Sequence, residues 1–401
     1  MKKLMLFLLM LLVVSTSCAP QAQALQVITP SATVSAFVPL PSNTPTNTAT
    51  PTPTLTPSPT ATPGLPLYTD DALKSQVDSL AQAFLAQYHN PGLSVAVVVR
   101  NPQTRQLQAM LLNYGTIGKG VDQPVDSQTV YEIGSITKVF TGILLAEKVN
   151  DGTVNLQDPI QNYMPGNIQA PEYKETSIKL VDLATHRSGL PRDLDSDDPR
   201  KLYAWLNQFQ PVNPPGTQYS YSNLGYMLLG DILSRLAQTD YGSLEFASVS
   251  QPLGLMDTRE VLTGDEIDRL ALGYAWDGTQ ALYFPQTGAM SGAGYLRSTL
   301  QDLTRFLLAN MDPDQTPLAA SITLAQTVQA EGKTPGSGIG LGWEIDKPGT
   351  PLERLWKGGG TPGFTSYISF LANDNSGFVI LTNGQKADSL ASDLVNLLDQ
   401  Q

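Results

Sequence analysis

Between Ala19 and Thr69 this chain carries no charged residue. Nine prolines lie between Pro39 and Pro66, set among threonines and serines as in Thr50-Pro51-Thr52-Pro53-Thr54. Each proline removes a backbone donor and fixes φ, so neither a helix nor a sheet ladder propagates through such a stretch. The segment has too little apolar surface to form a core and is expected to stay extended and solvated. At about 3.1 Å per residue it would reach on the order of 100 Å, the length of a stalk. Its threonines could carry O-linked sugar. Of the 401 residues, only the part from Leu67 onward, roughly 335, is left to fold. That is near the upper limit for a single core, so a two-part domain is expected.

The segment before the stalk reads as an address. Lys2 and Lys3 precede an apolar run, Leu4 to Val14, too short to span a bilayer, which needs about 20 residues. Ser15, Thr16 and Ser17 are small and Cys18 follows. The pattern resembles a bacterial lipoprotein signal, with Ser15 where such signals usually have Leu. It implies a signal peptide over 1–17, lipidation of Cys18, and an exported lipoprotein anchored to the membrane on the cell-surface or periplasmic side. Plain cleavage after Ala22-Gln23-Ala24 is the alternative. The expected organisation is therefore a leader over 1–17, an anchored stalk over 18–66 and a folded domain over 67–401.

Charge and composition exclude several classes. There are 24 Lys plus Arg against 36 Asp plus Glu, a formal charge of −12. A phosphate backbone repels such a chain, so no nucleic-acid partner is expected. One cysteine and two histidines exclude disulfide scaffolds, iron–sulfur clusters and Cys/His zinc sites, and neither metal nor cofactor is expected. In the folded part, Leu93 to Arg100 is apolar and β-branched, and Gln106 to Asn113 follows an Asn-Pro turn, which reads as a hairpin. Gly340 to Ile345, Thr365 to Leu371 and Gly377 to Thr382 also read as strands, with a turn at 373–376. Helical patterns cover Thr137 to Asn150, Lys179 to His186, Leu224 to Ala237, Thr299 to Asn310 and Ala387 to Leu398. Strands at both ends around a helical middle predict an α/β fold whose sheet is closed by the two termini.

The histidines offer little for chemistry. His89 precedes a turn and is expected to face solvent, and His186 ends a helix, where it caps or packs. No G-x-S-x-G elbow surrounds a serine. The run Asp193, Asp195, Asp197, Asp198 begins like a calcium loop but has Asp198 and Ala204 where glycine and glutamate are required, and reads as a solvated loop. Ser135-Ile136-Thr137-Lys138 is more promising. On a helix, residues i and i+3 share a face, so Lys138 reaches the Ser135 hydroxyl. Free N–H groups at the helix start favour developing negative charge on Ser135. For the lysine to serve as a base its pKa must fall roughly three units from about 10.4, which burial or a neighbouring cation can supply. The motif alone occurs by chance in a chain this long. Tyr221-Ser222-Asn223 is equally weak alone, since Tyr88-His89-Asn90 matches it too. In Lys357-Gly358-Gly359-Gly360 a lysine enters a glycine run that feeds a strand, and glycines let backbone approach a ligand. Lys347-Pro348-Gly349 is a competing match that reads as the turn after a strand.

Taken in order, five segments are specific together: Glu132 to Lys138, Leu183 to Pro191, Pro215-Gly216 with Tyr221 to Tyr226, Pro252 to Thr258, and Lys357 to Phe364. The set resembles the serine β-lactamase and penicillin-binding superfamily, in its class C-like branch, over almost all of Leu67 to Gln401. The resemblance implies an α/β (α+β) fold: a mainly antiparallel sheet flanked by helices, with a helical subdomain and a site between the two parts. It implies Ser135 as the acylated nucleophile, Lys138 as its base or base partner, and Tyr221 as the proton shuttle to the leaving group. Asn223, Lys357 and Gly359 would bind substrate, and the N–H groups of Ser135 and Gly360 would form the oxyanion hole. Lys138 and Tyr221 would titrate as a coupled pair. The third motif departs from Lys-Thr-Gly. Its missing hydroxyl would grip a substrate carboxylate, which weakens the case for β-lactams.

The reading at this level is an exported serine hydrolase acting on an ester or a D-amino-acid peptide, with a small-molecule or peptide substrate. Its partners are the membrane, through a lipid anchor, and the cell wall as a candidate, while its oligomeric state stays open. The alternatives are a β-lactamase, a non-catalytic peptidoglycan-binding module with the same fold, and an adhesin whose stalk is the functional part.

Overall fold

The computed structural model describes residues 64–194, 199–281, 291–372 and 376–399. The expected leader, Cys18 and most of the stalk lie outside the described residues. So do Asp195, Asp197, Asp198 and most of the expected turn at 373–376.

The first helix, α1 (Asp71–Tyr88), was not among the helices expected. Asp70 caps it, its carboxylate accepting from the Ala72 and Leu73 N–H groups at 2.9 Å each. Leu73, Val77, Ala81 and Phe84 recur at helical spacing and form its buried stripe. The other helices used below are α2 (Thr137–Asn150), α3 (Leu180–Ala184), α4 (Asn223–Ala237), α5 (Leu300–Met311) and α6 (Ala387–Leu398). All except α1 fall within a residue or two of the expected spans.

Eight strands form one antiparallel sheet: β1 (Gly92–Arg100), β2 (Leu107–Gly115), β3 (Ala330–Glu331), β4 (Gly338–Ile339), β5 (Glu344–Asp346), β6 (Arg354–Gly360), β7 (Thr365–Leu371) and β8 (Ser376–Thr382). Their order is β2-β1-β8-β7-β6-β5-β4-β3. The first strand therefore lies between its hairpin partner, with Val97 opposite Met110, and the last strand, with Val97 opposite Phe378. Period-2 alternation divides the side chains. Leu93, Val95, Val97, Phe378 and Ile380 face one side, where α1 and α6 close over them with Leu390 and Leu394. Ala96, Val98, Val379 and Leu381 face the other, against α2, α5 and the helical region beyond. Phe140 of α2 stacks on Phe306 of α5 with ring centroids 4.1 Å apart.

Two strand expectations change. Gly340 to Ile345 is not one strand but the corner of a hairpin joining β4 to β5, closed by the Gly340 N–H donating to Trp343 O at 2.9 Å. Gly342 takes φ +96°, and a Cβ there would lie 2.5 Å from Lys138 O. The chain turns at this point to pack its backbone against α2, where Gly142 leaves room for Leu341 O. The glycine run feeds β7 as expected, but Lys357 to Gly360 is itself strand, the end of β6, with Gly360 opposite Thr365.

Candidate active site

Ser135 sits in a tight turn, Gly134–Ile136, between a short strand (Val130–Glu132) and the start of α2. Gly134 has φ +50°, and a Cβ on it would stand 2.5 Å from Gly360 N. Only glycine permits both the left-handed backbone and this approach to β6. Ile133 is held from the same side, its carbonyl accepting from Ser366 Oγ at 2.8 Å. The serine is thus fixed by backbone contacts between α2 and the far end of β6. Ile136 rather than Ser135 occupies the N-cap position of α2, so the serine hydroxyl is not used as a cap.

One turn into α2, Lys138 is fully buried. Its ammonium donates to Ser135 Oγ at 3.1 Å, to Asn223 Oδ1 at 2.8 Å and to the Ala293 carbonyl, which uses all three of its N–H bonds. Burial lowers its pKa to about 8; Tyr221 opposes that fall, and the cations Lys357 and Arg192 deepen it. Tyr221 Oη donates to Ser135 Oγ at 2.7 Å. Burial alone would raise the phenol, but Lys138 and then Lys357 pull it below its ordinary range. The serine oxygen therefore meets two groups that share the task of holding a proton.

Both partners are positioned by α4. Ser222 caps that helix, accepting from Gly225 N–H at 2.9 Å, which fixes Tyr221 just before it and Asn223 at its first residue. Asn223 also donates from Nδ2 to Asp193 Oδ1 at 2.7 Å, so its amide is held at both ends with Oδ1 toward Lys138. His186, fully buried, lies against Tyr221 with ring centroids 4.2 Å apart. Its Nδ1 accepts from the Ser222 N–H at 3.1 Å. Burial, reinforced by Lys357 and Lys138, holds it well below the usual imidazole range, so it is a neutral platform under the tyrosine. His89 is exposed at the C-terminal end of α1.

Lys357, on β6, is buried with Nζ 5.4 Å from the Tyr221 ring centroid. It pairs with Glu344 Oε1 at 3.1 Å, and Tyr219 Oη donates to the same oxygen at 3.2 Å. Glu344 follows the hairpin corner that packs on α2. One cavity of about 460 Å³ is lined by Ser135, Asn223, Tyr295, Gly360 and Thr361. A second, of about 630 Å³, is lined by Tyr221, Lys333, Trp356, Lys357 and Gly358. Arg192 lines both.

The structure thus brings Ser135, Lys138, Tyr221, Asn223, Lys357 and Gly360 to one place. Gly359 is nearby but faces inward: a Cβ there would lie 2.1 Å from Ile133 O, so its role in the geometry is close backbone packing. The sequence pattern did not reveal His186 as the platform, Glu344 as the partner of Lys357, or Asp193 as the holder of Asn223. His186 and Asp193 meet partners from distant parts of the chain, and Glu344 meets Lys357 across the paired strands β5 and β6. The signal nearest to hand was Gly340-Leu341-Gly342-Trp343-Glu344, whose two glycines mark a close backbone approach.

The Beta-lactamase family model matches residues 77–401. A beta-lactamase of Pseudomonas fluorescens is 27% identical over 345 residues, covering 78% of this chain and 93% of that protein. A beta-lactamase of Yersinia enterocolitica is 28% identical over 331 residues, covering 73% and 82%. The D-alanyl-D-alanine-carboxypeptidase/endopeptidase AmpH of Escherichia coli strain K12 is 30% identical over 315 residues, covering 73% and 79%.

Proposed function

The chain belongs to the beta-lactamase family of serine hydrolases, and from that premise we propose that it works through an acyl-enzyme on Ser135, on an ester or a D-amino-acid peptide. The observation that carries the reading is the pair of hydrogen bonds on one serine oxygen, 2.7 Å from Tyr221 Oη and 3.1 Å from Lys138 Nζ. Ser135 Oγ attacks the carbonyl carbon of the substrate, and its proton passes to the Tyr221–Lys138 pair. The N–H groups of Ser135 and Gly360 hold the oxyanion; losing one such donor typically costs about 10² to 10³ in rate. The bond to the leaving group breaks as the pair returns the proton to the leaving atom. Water then attacks the acyl ester while the pair accepts its proton, and the pair passes that proton to Ser135 Oγ as its bond to the acyl carbon breaks. Asn223 keeps Lys138 aimed, and Lys357 holds positive charge near the phenol.

Gly358, where a hydroxyl would grip a carboxylate, favours ester or peptide over β-lactam. Two of the relatives named above are beta-lactamases, which keeps lactam hydrolysis as the second reading. The retained serine, lysines and tyrosine speak against a non-catalytic module. Lys2, Lys3, the apolar run and Cys18 support export and a lipid anchor, with the charge-free stretch as a spacer toward the wall. Labelling with a fluorophosphonate or a fluorescent penicillin tests the nucleophile: wild type labels and Ser135→Ala does not. Equal labelling of both removes Ser135 from the mechanism. A panel of a p-nitrophenyl ester, a D-alanyl peptide and nitrocefin then ranks the substrates.

A further inference from the structure

The three neighbours of the Lys138 nitrogen are not alike. Asn223 Oδ1 and the Ala293 carbonyl can only accept, while Ser135 Oγ can also donate. A neutral lysine nitrogen has two N–H bonds and one lone pair. With two pure acceptors beside it, both N–H bonds are taken and the lone pair is left facing Ser135 Oγ, where a base needs it. Asn223 is held at its other end by Asp193. The Ala293 carbonyl is main chain, so its aim depends on what holds the short helical turn Ser291–Gly294 that carries it.

That turn is gripped from several sides. Thr141, on α2 one turn beyond Lys138, is fully buried. Its hydroxyl lies 2.7 Å from the Gly292 carbonyl and 2.7 Å from Tyr241 Oη, with Thr137 O farther off at 3.3 Å. The Gly292 carbonyl can only accept, so Thr141 donates to it and Tyr241 donates to Thr141. At the start of the turn, Ser291 Oγ donates to the buried carboxylate of Glu260. On the side of α4, a Cβ on Gly292 would stand 2.8 Å from Tyr226 O and 2.9 Å from Gly230 Cα, so turn and helix meet backbone to backbone. Past the turn, the Leu296 N–H donates to Thr137 Oγ1 at 3.2 Å. Thr137 and Thr141 share one face of α2 and fasten this segment to the helix that carries Lys138.

Ala293 lines the smaller cavity, whereas Thr141 lines neither of the two, so the threonine is out of reach of a substrate there. We propose that Thr141 is a positioning residue for Lys138: through Gly292 it fixes the turn that aims the Ala293 carbonyl, and so the lone pair of the lysine, with Ser291 on Glu260 as the second anchor. This rests on the acyl-transfer reading above and adds to it residues that act through the base. Without the hydroxyl, the buried Gly292 carbonyl loses its partner and its peptide turns to find another. The ammonium then loses an acceptor that favours its charged form. The titratable groups that face Lys138, namely Tyr221, Tyr226, His186, Lys357 and Arg192, keep their places, so a change in titration reports the carbonyl.

Thr141→Val tests it, because the change nearly keeps the shape and removes the hydroxyl. Active sites are counted by fluorophosphonate labelling of Ser135 to completion, and turnover is read with p-nitrophenyl acetate and butyrate. In Thr141→Val, kcat/KM per labelled site is expected to fall about 10-fold, through kcat and not KM. The rising limb of its pH profile should move down by about half a unit. Thr141→Ser keeps the hydroxyl and should restore both, while Ser291→Ala releases the other anchor and should repeat the fall. A labelled Thr141→Val with the wild-type rate per site and the wild-type limb, however unstable, makes the hydroxyl merely structural and overturns the proposal. Should that variant give no labelled protein, Ser291→Ala decides: a lowered rate and limb uphold the proposal, and wild-type values overturn it. An unlabelled wild type overturns the hydrolase reading, and the proposal with it.

Discussion

Lys138 is the residue on which the chemistry turns, because it is buried and still bonded on all three sides. A lysine with its pKa near 8 and a tyrosine lowered toward it hold a proton that the serine must hand over. Below that pH the pair is fully loaded, so kcat/KM for a p-nitrophenyl ester should rise as pH increases through about 8. Lys357→Ala removes a cation that disfavours charge on Lys138 and favours tyrosinate. Both groups then keep their protons to higher pH, and the rising limb should move up by about one unit. The double variant Lys357→Ala/Glu344→Gln removes a whole ion pair and should move it less. pH–rate profiles of the three proteins check this, and equal limbs would remove Lys357 from the electrostatics. Ser135, Lys138, Tyr221, Asn223 and Lys357 were legible in the sequence because motif spacing and order carry them. His186, Glu344 and Asp193 were not, since what each does depends on a neighbour on another element: for Glu344 the paired strand β6, for the other two the segment that opens α4.

At the scale of elements, the sequence reading captured segments whose own residues decide their shape. The periodicity of α2 and the β-branched run of β1 are of this kind. It missed α1, where the stripe is carried by Leu73, Val77, Ala81 and Phe84 among polar residues. It also joined the β4–β5 corner into one strand, because the turn there is imposed by α2 and not by local preference. That contact makes a prediction. A Cβ at Gly142 would stand 1.9 Å from Leu341 O, so Gly142→Ala must part the corner from α2. It should destabilise the protein by about 1–3 kcal/mol and lower kcat, since the same corner touches the Lys138 carbonyl. Gly225→Ala in α4, whose added Cβ meets nothing nearer than 3.5 Å, should leave stability level or slightly raised. Urea melts of both variants decide.

For the whole molecule, the two ends of the folded part carry the sheet. α6 covers Phe378, Ile380, Val95 and Val97 through Leu390 and Leu394. Removing 387–401 uncovers this face and should yield protein that binds a hydrophobic dye and leaves Ser135 unlabelled. Soluble, labelled protein from that truncation would count against α6 as a structural cover. By contrast, cutting out 19–66 should leave turnover of the same esters unchanged, because the proline-rich composition of that stretch builds no core. Loss of turnover there would favour the stalk as the working part. The closure of the sheet by both termini was readable as strands at each end of a helical middle. The register was not, because it is set by pairing between distant strands.

That register also dictates timing. Val97 waits opposite Phe378, so a chain emerging from the ribosome has β1 in hand long before the strand that completes its other side. Until then the sheet's middle has an open edge, and contacts of such sequence separation form slowly. A growing chain of this topology cannot close its sheet until the strand nearest its end has been made.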